Sequence, residues 1–264
     1  MEQRQATAGL APGMDTGITI KSQEELSFMR EAGHILAQVL VVLRERVNPG
    51  MTTAELDALA AKEMKKHNAE PSFLGYHGYP AHICVSVNDE IVHGIPGKRV
   101  LKDGDVVSID AGVIYKGFQS DSAITVGLGK ISSEAERLID VTEESIMAGI
   151  AAAKGGSRVG DISYAVQQVA QAAGFSIVRE YVGHGIGRAM HEDPQVPNFG
   201  MPGRGVLLRP GMALAIEPML NVGDWRTRVA PDNWTVLTLD GSLSAHFEHT
   251  IAITENGPEI LSKV

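Results

Sequence analysis

The chain has 264 residues, 44% hydrophobic and 21% charged, the proportions of a soluble globular protein with length for one large domain or two small ones. A formal net charge of -9 argues against a nucleic-acid-binding surface. The single cysteine, Cys84, excludes an intrachain disulfide and suits a reducing compartment.

The opening stretch, MEQRQATAGLAPGMDTG, is small, polar and rich in Gly and Pro, without the apolar core of a signal peptide. A loose tail is expected over residues 1–17, ahead of a single domain over 18–264. Ser22 followed three residues later by Glu25 is a capping-box signature that opens a helix over Gln23–Arg46. The longest apolar run, ILAQVLVVL, lies inside it and is too short for a membrane span. Asn48-Pro49-Gly50 interrupts the chain before a second helix over Thr53–His67. Strands follow from about Ile83 to Val126, with Tyr115-Lys116-Gly117 as a hairpin turn. Helices over Ser133–Ala153 and Val159–Ala173 flank Gly155-Gly156, and strands dominate again to the C-terminus. These features place the protein in the cytoplasm.

Two helices followed by strands therefore occur twice. An offset of 107 residues lays LKDGDVVSID (Leu101–Asp110) on LRPGMALAIE (Leu208–Glu217), and His77-Gly78 on His184-Gly185. With about twenty extra residues in the second half, SDSAITV (Ser120–Val126) falls on FEHTIAI (Phe247–Ile253), which sets Asp121 on Glu248. Such self-similarity predicts a duplicated α+β unit with a site shared between its halves.

Asp110, Asp121, Glu217 and Glu248 each interrupt a β-like apolar stretch. An unpaired buried carboxylate costs several kcal/mol or more, and the sequence beside these four offers few basic partners. Folding at Tyr115–Gly117 brings Asp110 and Asp121 nearly opposite each other, where they repel unless a proton or cation intervenes. A pair of solvent-facing acids on a hairpin edge is an equal alternative for these two alone. Glu217 precedes Pro218, which favours extended backbone. Isolated strand glutamates usually face solvent, and it is the repeat that lifts Glu217 and Glu248 above that expectation.

His184 lies in GHGIGR, where glycines permit close backbone approach to a ligand. His191 follows in MHEDPQV, and His93 sits in VHGIP. Loop histidines are commonly solvated, so no one of them persuades singly. Together they offer one candidate ligand and two imidazoles for proton transfer or oxyanion stabilisation. His34, His67 and His82 have no such context, and His246 and His249, although beside Glu248, receive no direct role. Four carboxylates and one imidazole suit two divalent ions of the Mn, Fe or Co type, with Zn also possible. Two such ions commonly activate water and polarise a carbonyl, so amide or ester hydrolysis is the natural reaction.

The segments GYHGYP, NDEIVHGIP, SIDAG, SDSA, GHGIGRAMHEDPQV, AIEPML and SAHFEHT, in that order, resemble the methionine aminopeptidases of the M24 peptidases, in their short bacterial type I form. The resemblance runs from about Ile18 to Ile260. It implies a pita-bread fold, an antiparallel sheet covered by helices, and metal ligation by Asp110, Asp121, His184, Glu217 and Glu248. It further implies Glu217 as general base and then acid, His191 on the scissile carbonyl oxygen and His93 on the scissile amide. The methionine side chain would be lined by Phe73, Tyr76, Tyr79, Cys84, Met190 and Trp234, with His77 nearby; Met190 stands where phenylalanine is often found. The implied partner is a peptide or nascent-chain N-terminus whose second residue is small, met by a monomer with transient ribosome association and neither nucleic acid nor membrane as partner. A proline-specific peptidase of the same fold would share all five ligands, but usually carries a sizeable extra N-terminal domain. A catalytically dead binding protein of the fold should have lost ligands.

Overall fold

The computed structural model describes residues 17–264; the expected tail, apart from Gly17, lies outside the described residues. Helix α1 spans Gln23–Arg46 and α2 spans Thr53–Lys66. Both begin with capping boxes, Ser22 with Glu25 and Thr52 with Glu55, which satisfy backbone N–H groups that a first helical turn leaves unpaired. Then come β1 (Glu70–Pro71), a 3-10 turn (Tyr76–Gly78), β2 (Ile83–Val87), β3 (Glu90–Val92), β4 (Val106–Tyr115) and β5 (Phe118–Gly127). The second half carries α3 (Ser133–Ala152), α4 (Val159–Ala172), β6 (Ser176–Ile177), β7 (Gly183–Gly185), β8 (Glu192–Val196) and β9 (Ala213–Ile216). It ends with β10 (Met219–Asn221), β11 (Thr227–Val229), β12 (Val236–Thr238), β13 (Ser244–His246), β14 (Glu248–Thr254) and β15 (Gly257–Ile260).

The main sheet runs β1-β4-β5-β14-β9-β7-β8, with β2 also on β4 and β15 also on β14. Every pairing in it is antiparallel. The halves mirror each other about the β5–β14 seam, β4 answering β9 and β5 answering β14. The hairpin between β4 and β5 turns on Lys116 at φ +50° and Gly117 at φ +78°, the left-handed pair that matches the twist of the strands. The same position in the second half opens into an excursion, residues 217–247. Its strands pair with β6 and with β3 to complete two three-stranded sheets, β13-β10-β6 and β11-β12-β3. That excursion is the physical form of the twenty extra residues.

Alternation along the strands sends Val107, Ile109, Ala111 and Val113 into one apolar core with Leu36, Leu40 and Leu43 of α1 and Leu56 and Met64 of α2. Leu214, Ile216, Ile251 and Ile253 do the same with Ile146, Ile150 and Ile162 from α3 and α4. The helices thus cover the odd-numbered face of β4 and leave Asp110 on the other. At full length α1 is apolar enough to cross a bilayer, which its longest apolar run alone did not indicate; ten of its residues are buried within the fold. It is a core helix.

Candidate active site

Register decides which side chains meet, because residues opposite each other in antiparallel strands share a face. Cys84 pairs with Asp110, Asp110 with Ala123, and Ala123 with Glu248, one row across four strands. Glu217 follows Ile216, which pairs with His249, so it closes that row beyond Glu248. One pleat along, Gly112 opposes Asp121 while Ala215 pairs with both Thr250 and His184. Asp110 and Asp121 are therefore diagonal neighbours rather than facing ones. The side chains between the acids, Ala123 and Ala215, are small. Gly112 can carry no side chain at all, since a Cβ there would come within 2.9 Å of Phe73 and Met190 and 2.8 Å of Ser72.

The five candidate ligands converge as expected. Atoms of Asp121, His184 and Glu248 lie within 4.8 Å of one another, and His184 Nε2 is 3.6 Å from Glu217 Oε1. His184 Nδ1 is 2.9 Å from the Gly185 carbonyl, which can only accept, so Nδ1 carries the proton and Nε2 presents a lone pair to the acids. Asp110, Asp121 and Glu248 are buried, and each leaves one carboxylate oxygen with no hydrogen-bond partner. Among the described residues no Lys or Arg lies within 4.0 Å of the four acids; the basic side chains this close are the imidazoles of His184 and His246. Burial pushes Asp110 up to about 7 and Asp121, Glu217 and Glu248 well above the carboxylate range, with the mutual repulsion of the acids adding to the last three. Burial drives His184 down to about 3. Orphaned carboxylates packed against a bare imidazole lone pair fit divalent cations, which would supply the missing positive charge.

The other expected residues take positions around this cluster. The Tyr76 hydroxyl lies 2.7 Å from His191 Nδ1, with the two rings stacked at 5.5 Å, and the His191 ring is 4.2 Å from that of His184. Tyr79 is edge-on to Phe73 at 6.5 Å and to Trp234 at 5.1 Å, and Cys84 packs with it. Met190 joins Phe73 and Tyr76 in an adjoining apolar cluster. His77, held at φ +47°, is exposed and touches Tyr76, so its alignment with His184 in the repeat does not extend to the ligand cluster. His93, at φ +61°, faces the Tyr181 ring at 5.7 Å, and burial lowers it to about 4 with His191 contributing.

The loop carrying His191 is anchored from an unexpected quarter. Glu192 accepts from Lys21 Nζ at 2.8 Å and Thr19 Oγ1 at 2.5 Å, in a buried pair reaching across to the segment before α1. Thr250 is a second contributor missed in the sequence: its hydroxyl accepts from Asp121 N–H at 2.9 Å and donates to Asp121 C=O at 2.8 Å. His246, expected beside Glu248 without a direct role, sets its imidazole 3.9 Å from Glu217 and 4.0 Å from Glu248. His249 points to the other face and bonds Ser262 Oγ at 2.9 Å. Two surface cavities of about 470 and 570 Å³ lie elsewhere, and neither includes any of the expected site residues.

This fold and cluster define a class. The chain belongs to metallopeptidase family M24, whose pattern matches residues 27–255. Within it the chain groups with the methionine aminopeptidases. It is 56% identical over 247 residues to the methionine aminopeptidase of Clostridium perfringens, covering 94% of this chain and 99% of that protein. It is 53% identical to methionine aminopeptidase 1 of Bacillus subtilis, covering 94% of this chain and all of that protein. Its structure matches that of the methionine aminopeptidase from Thermotoga maritima with a TM-score of 0.92 at 48% identity, over 94% of this chain and 100% of the other. A prolidase from Pyrococcus furiosus shares the fold alone, with a TM-score of 0.75 at 23% identity over 93% of this chain and 65% of that one. The pita-bread architecture expected from the motifs is thus borne out, and the chain is an aminopeptidase of the hydrolase class.

Proposed function

We propose that the protein removes N-terminal methionine from peptides and nascent chains whose second residue is small, using two divalent ions held by Asp110, Asp121, His184, Glu217 and Glu248. The observation that carries the reading is the set of orphaned carboxylate oxygens gathered on one sheet face against the bare Nε2 of His184. When bound, the ions activate a water and polarise the scissile carbonyl. Glu217 would take a proton from the attacking water and deliver it to the leaving amine. A Tyr76 hydroxyl donating to His191 Nδ1 leaves the proton on Nε2, free to donate to the carbonyl oxygen as charge develops there. His93 contacts the scissile amide.

Phe73, Tyr76, Tyr79, Cys84, Met190 and Trp234 wall the methionine side chain, with His77 at the rim. Aromatic faces and a flexible thioether suit a soft, unbranched side chain. The reading is of a monomer in the cytoplasm, meeting some substrates while they are still at the ribosome. It is supported by the single cysteine and by a net charge of -9, which disfavours nucleic acid as a partner in its own right.

The test is hydrolysis of Met-Ala-Ser beside Leu-Ala-Ser and an Xaa-Pro peptide, with and without chelator. Release of methionine from the first alone, lost on chelation and restored by Mn, Fe, Co or Zn, is expected. Preference for Xaa-Pro, or indifference to chelator, overturns the reading.

A further inference from the structure

His246 is 1% exposed, and neither ring nitrogen has a hydrogen-bond partner. A buried, unsatisfied imidazole is costly, and such groups persist where another part of a site needs them. The ring does not drift there by chance. Its backbone N–H donates to Thr125 Oγ1 at 2.9 Å, and the Thr125 hydroxyl donates back to its C=O at 2.6 Å. Ser108 Oγ, 2.8 Å away, steadies that threonine in turn. Pairing of His246 with Met219 fixes the other edge. So held, Nε2 lies 3.9 Å from Glu217 Oε2 and 4.0 Å from Glu248 Oε2. Glu217 is thereby flanked by two imidazoles, His184 toward Oε1 and His246 toward Oε2.

We propose that His246 is a positioning residue for the metal centre: with ions bound, its Nε2–H, here 3.9 Å from Glu217 and 4.0 Å from Glu248, closes to donate to the facing carboxylate oxygens and fixes which oxygens these acids turn to the ions. The inference rests on the metal-site reading above and adds to its five ligands. His184 Nε2 must be bare to act as a ligand, whereas His246 Nε2 must carry a proton to orient its neighbours. The two imidazoles beside Glu217 are then opposite in tautomer and in task. The division has a physical basis, because ligating carboxylates need hydrogen bonds of their own to hold one orientation. Of the two glutamates, Glu217 has the greater need, since it also moves a proton.

The experiment titrates metal-free protein with Co(II) by calorimetry and records the ligand-field spectrum, for wild type, His246→Gln, His246→Ala and His246→Leu. A glutamine side-chain amide places an N–H donor near the position of His Nε2 and has no ring lone pair. The alanine and leucine variants are expected to bind Co(II) about 10- to 100-fold more weakly, while the glutamine variant stays within about threefold of wild type. The Gln variant is also expected to keep the wild-type Co(II) spectrum. For peptide hydrolysis at saturating metal, Ala and Leu should lower kcat more than they raise KM. Comparing Gln with Leu preserves the test if the alanine cavity prevents folding. Equal loss in all three variants, or no loss in any, overturns the proposal, as does a changed spectrum in the Gln variant, which makes His246 a ligand. Failure of wild type itself to bind Co(II) instead removes the metal-site reading on which the proposal stands.

Discussion

Tyr76 and His191 form the contact on which proton placement depends. A neutral imidazole keeps its proton on one nitrogen or the other, and a phenol that donates to Nδ1 selects Nε2. Tyr76→Phe should lower kcat roughly fivefold, the equivalent of about 1 kcal/mol for one hydrogen bond, with a smaller effect on KM. His191→Ala should cost about 10²-fold or more in kcat by removing the donor itself. Steady-state kinetics on Met-Ala-Ser separates the two, and equal losses would show that Tyr76 acts on more than the tautomer. Glu192, the next residue, supplies a prediction in pH. Burial pushes its pKa up, but the hydrogen bonds from Lys21 and Thr19 and the charge of Lys21 outweigh that and hold it below the usual value. Its stabilising contribution is thus complete above about pH 4.3, the ordinary glutamate value, and is lost as pH falls through its lowered folded pKa. Glu192→Gln, which leaves Lys21 buried without its counter-charge, should cost about 3 kcal/mol at pH 7, a difference that narrows in acid. Urea melts at pH 7 and pH 3.5 give the comparison. None of these contacts was legible in the sequence. The ligand types could be read because buried acids in apolar strands are anomalous, but Thr19, Lys21 and Glu192 look like surface residues until the fold brings together positions more than 170 apart in sequence.

At the scale of elements, the seam between β5 and β14 bears the most consequence. Only Glu248 with Ala123 and His249 with Ser122 pair directly there. Side-chain hydroxyls stitch the rest, Thr250 to Asp121 and Ser122 to the Glu248 carbonyl at 2.6 Å, and Thr125 ties β5 on to His246 at the end of β13. Thr250→Val keeps the shape but strips two buried backbone groups of Asp121 of their partner, and should destabilise by about 1–3 kcal/mol per group left unpaired. Guanidinium melts check the stability, and the same variant should bind Co(II) more weakly, because Asp121 would lose its fixed backbone. Helix boundaries, by contrast, were readable to within a residue. Capping boxes are local signals and need no knowledge of the rest of the chain. The seam is built from non-local hydroxyls, which leave no periodic trace. The excursion over residues 217–247 was visible only as a gap of about twenty residues in the repeat, without any hint of the two small sheets it completes.

For the whole molecule, the proposed metal site would also be a clasp. Asp110 and Asp121 belong to the first half, and His184, Glu217 and Glu248 to the second. Ions gripped by both halves would bind the folded chain and not the unfolded one, and should then stabilise it by about 2.7 kcal/mol at a hundredfold excess over Kd. With about 2–4 °C per kcal/mol for a chain near this size, chelation should lower the Tm by roughly 5–10 °C. A melt unchanged by chelator and by added Mn or Co would mean that the acids do not share ions across the seam. The pseudo-symmetry itself was legible because duplicated strands kept their acids in step, whereas the departure from symmetry was not.

That departure separates two kinds of inheritance in one chain. The strands that repeat hold the reactive cluster, while Trp234 and His246 arrive on the stretch that does not repeat. One wall of the proposed pocket, at Trp234, is therefore carried apart from Phe73, Tyr76, Tyr79, Cys84 and Met190, and it can change at its own rate. Exchanging the tip of the excursion, residues 222–243, between enzymes of this fold should adjust the taste for the first side chain at that one wall while leaving the hydrolytic engine of the recipient intact.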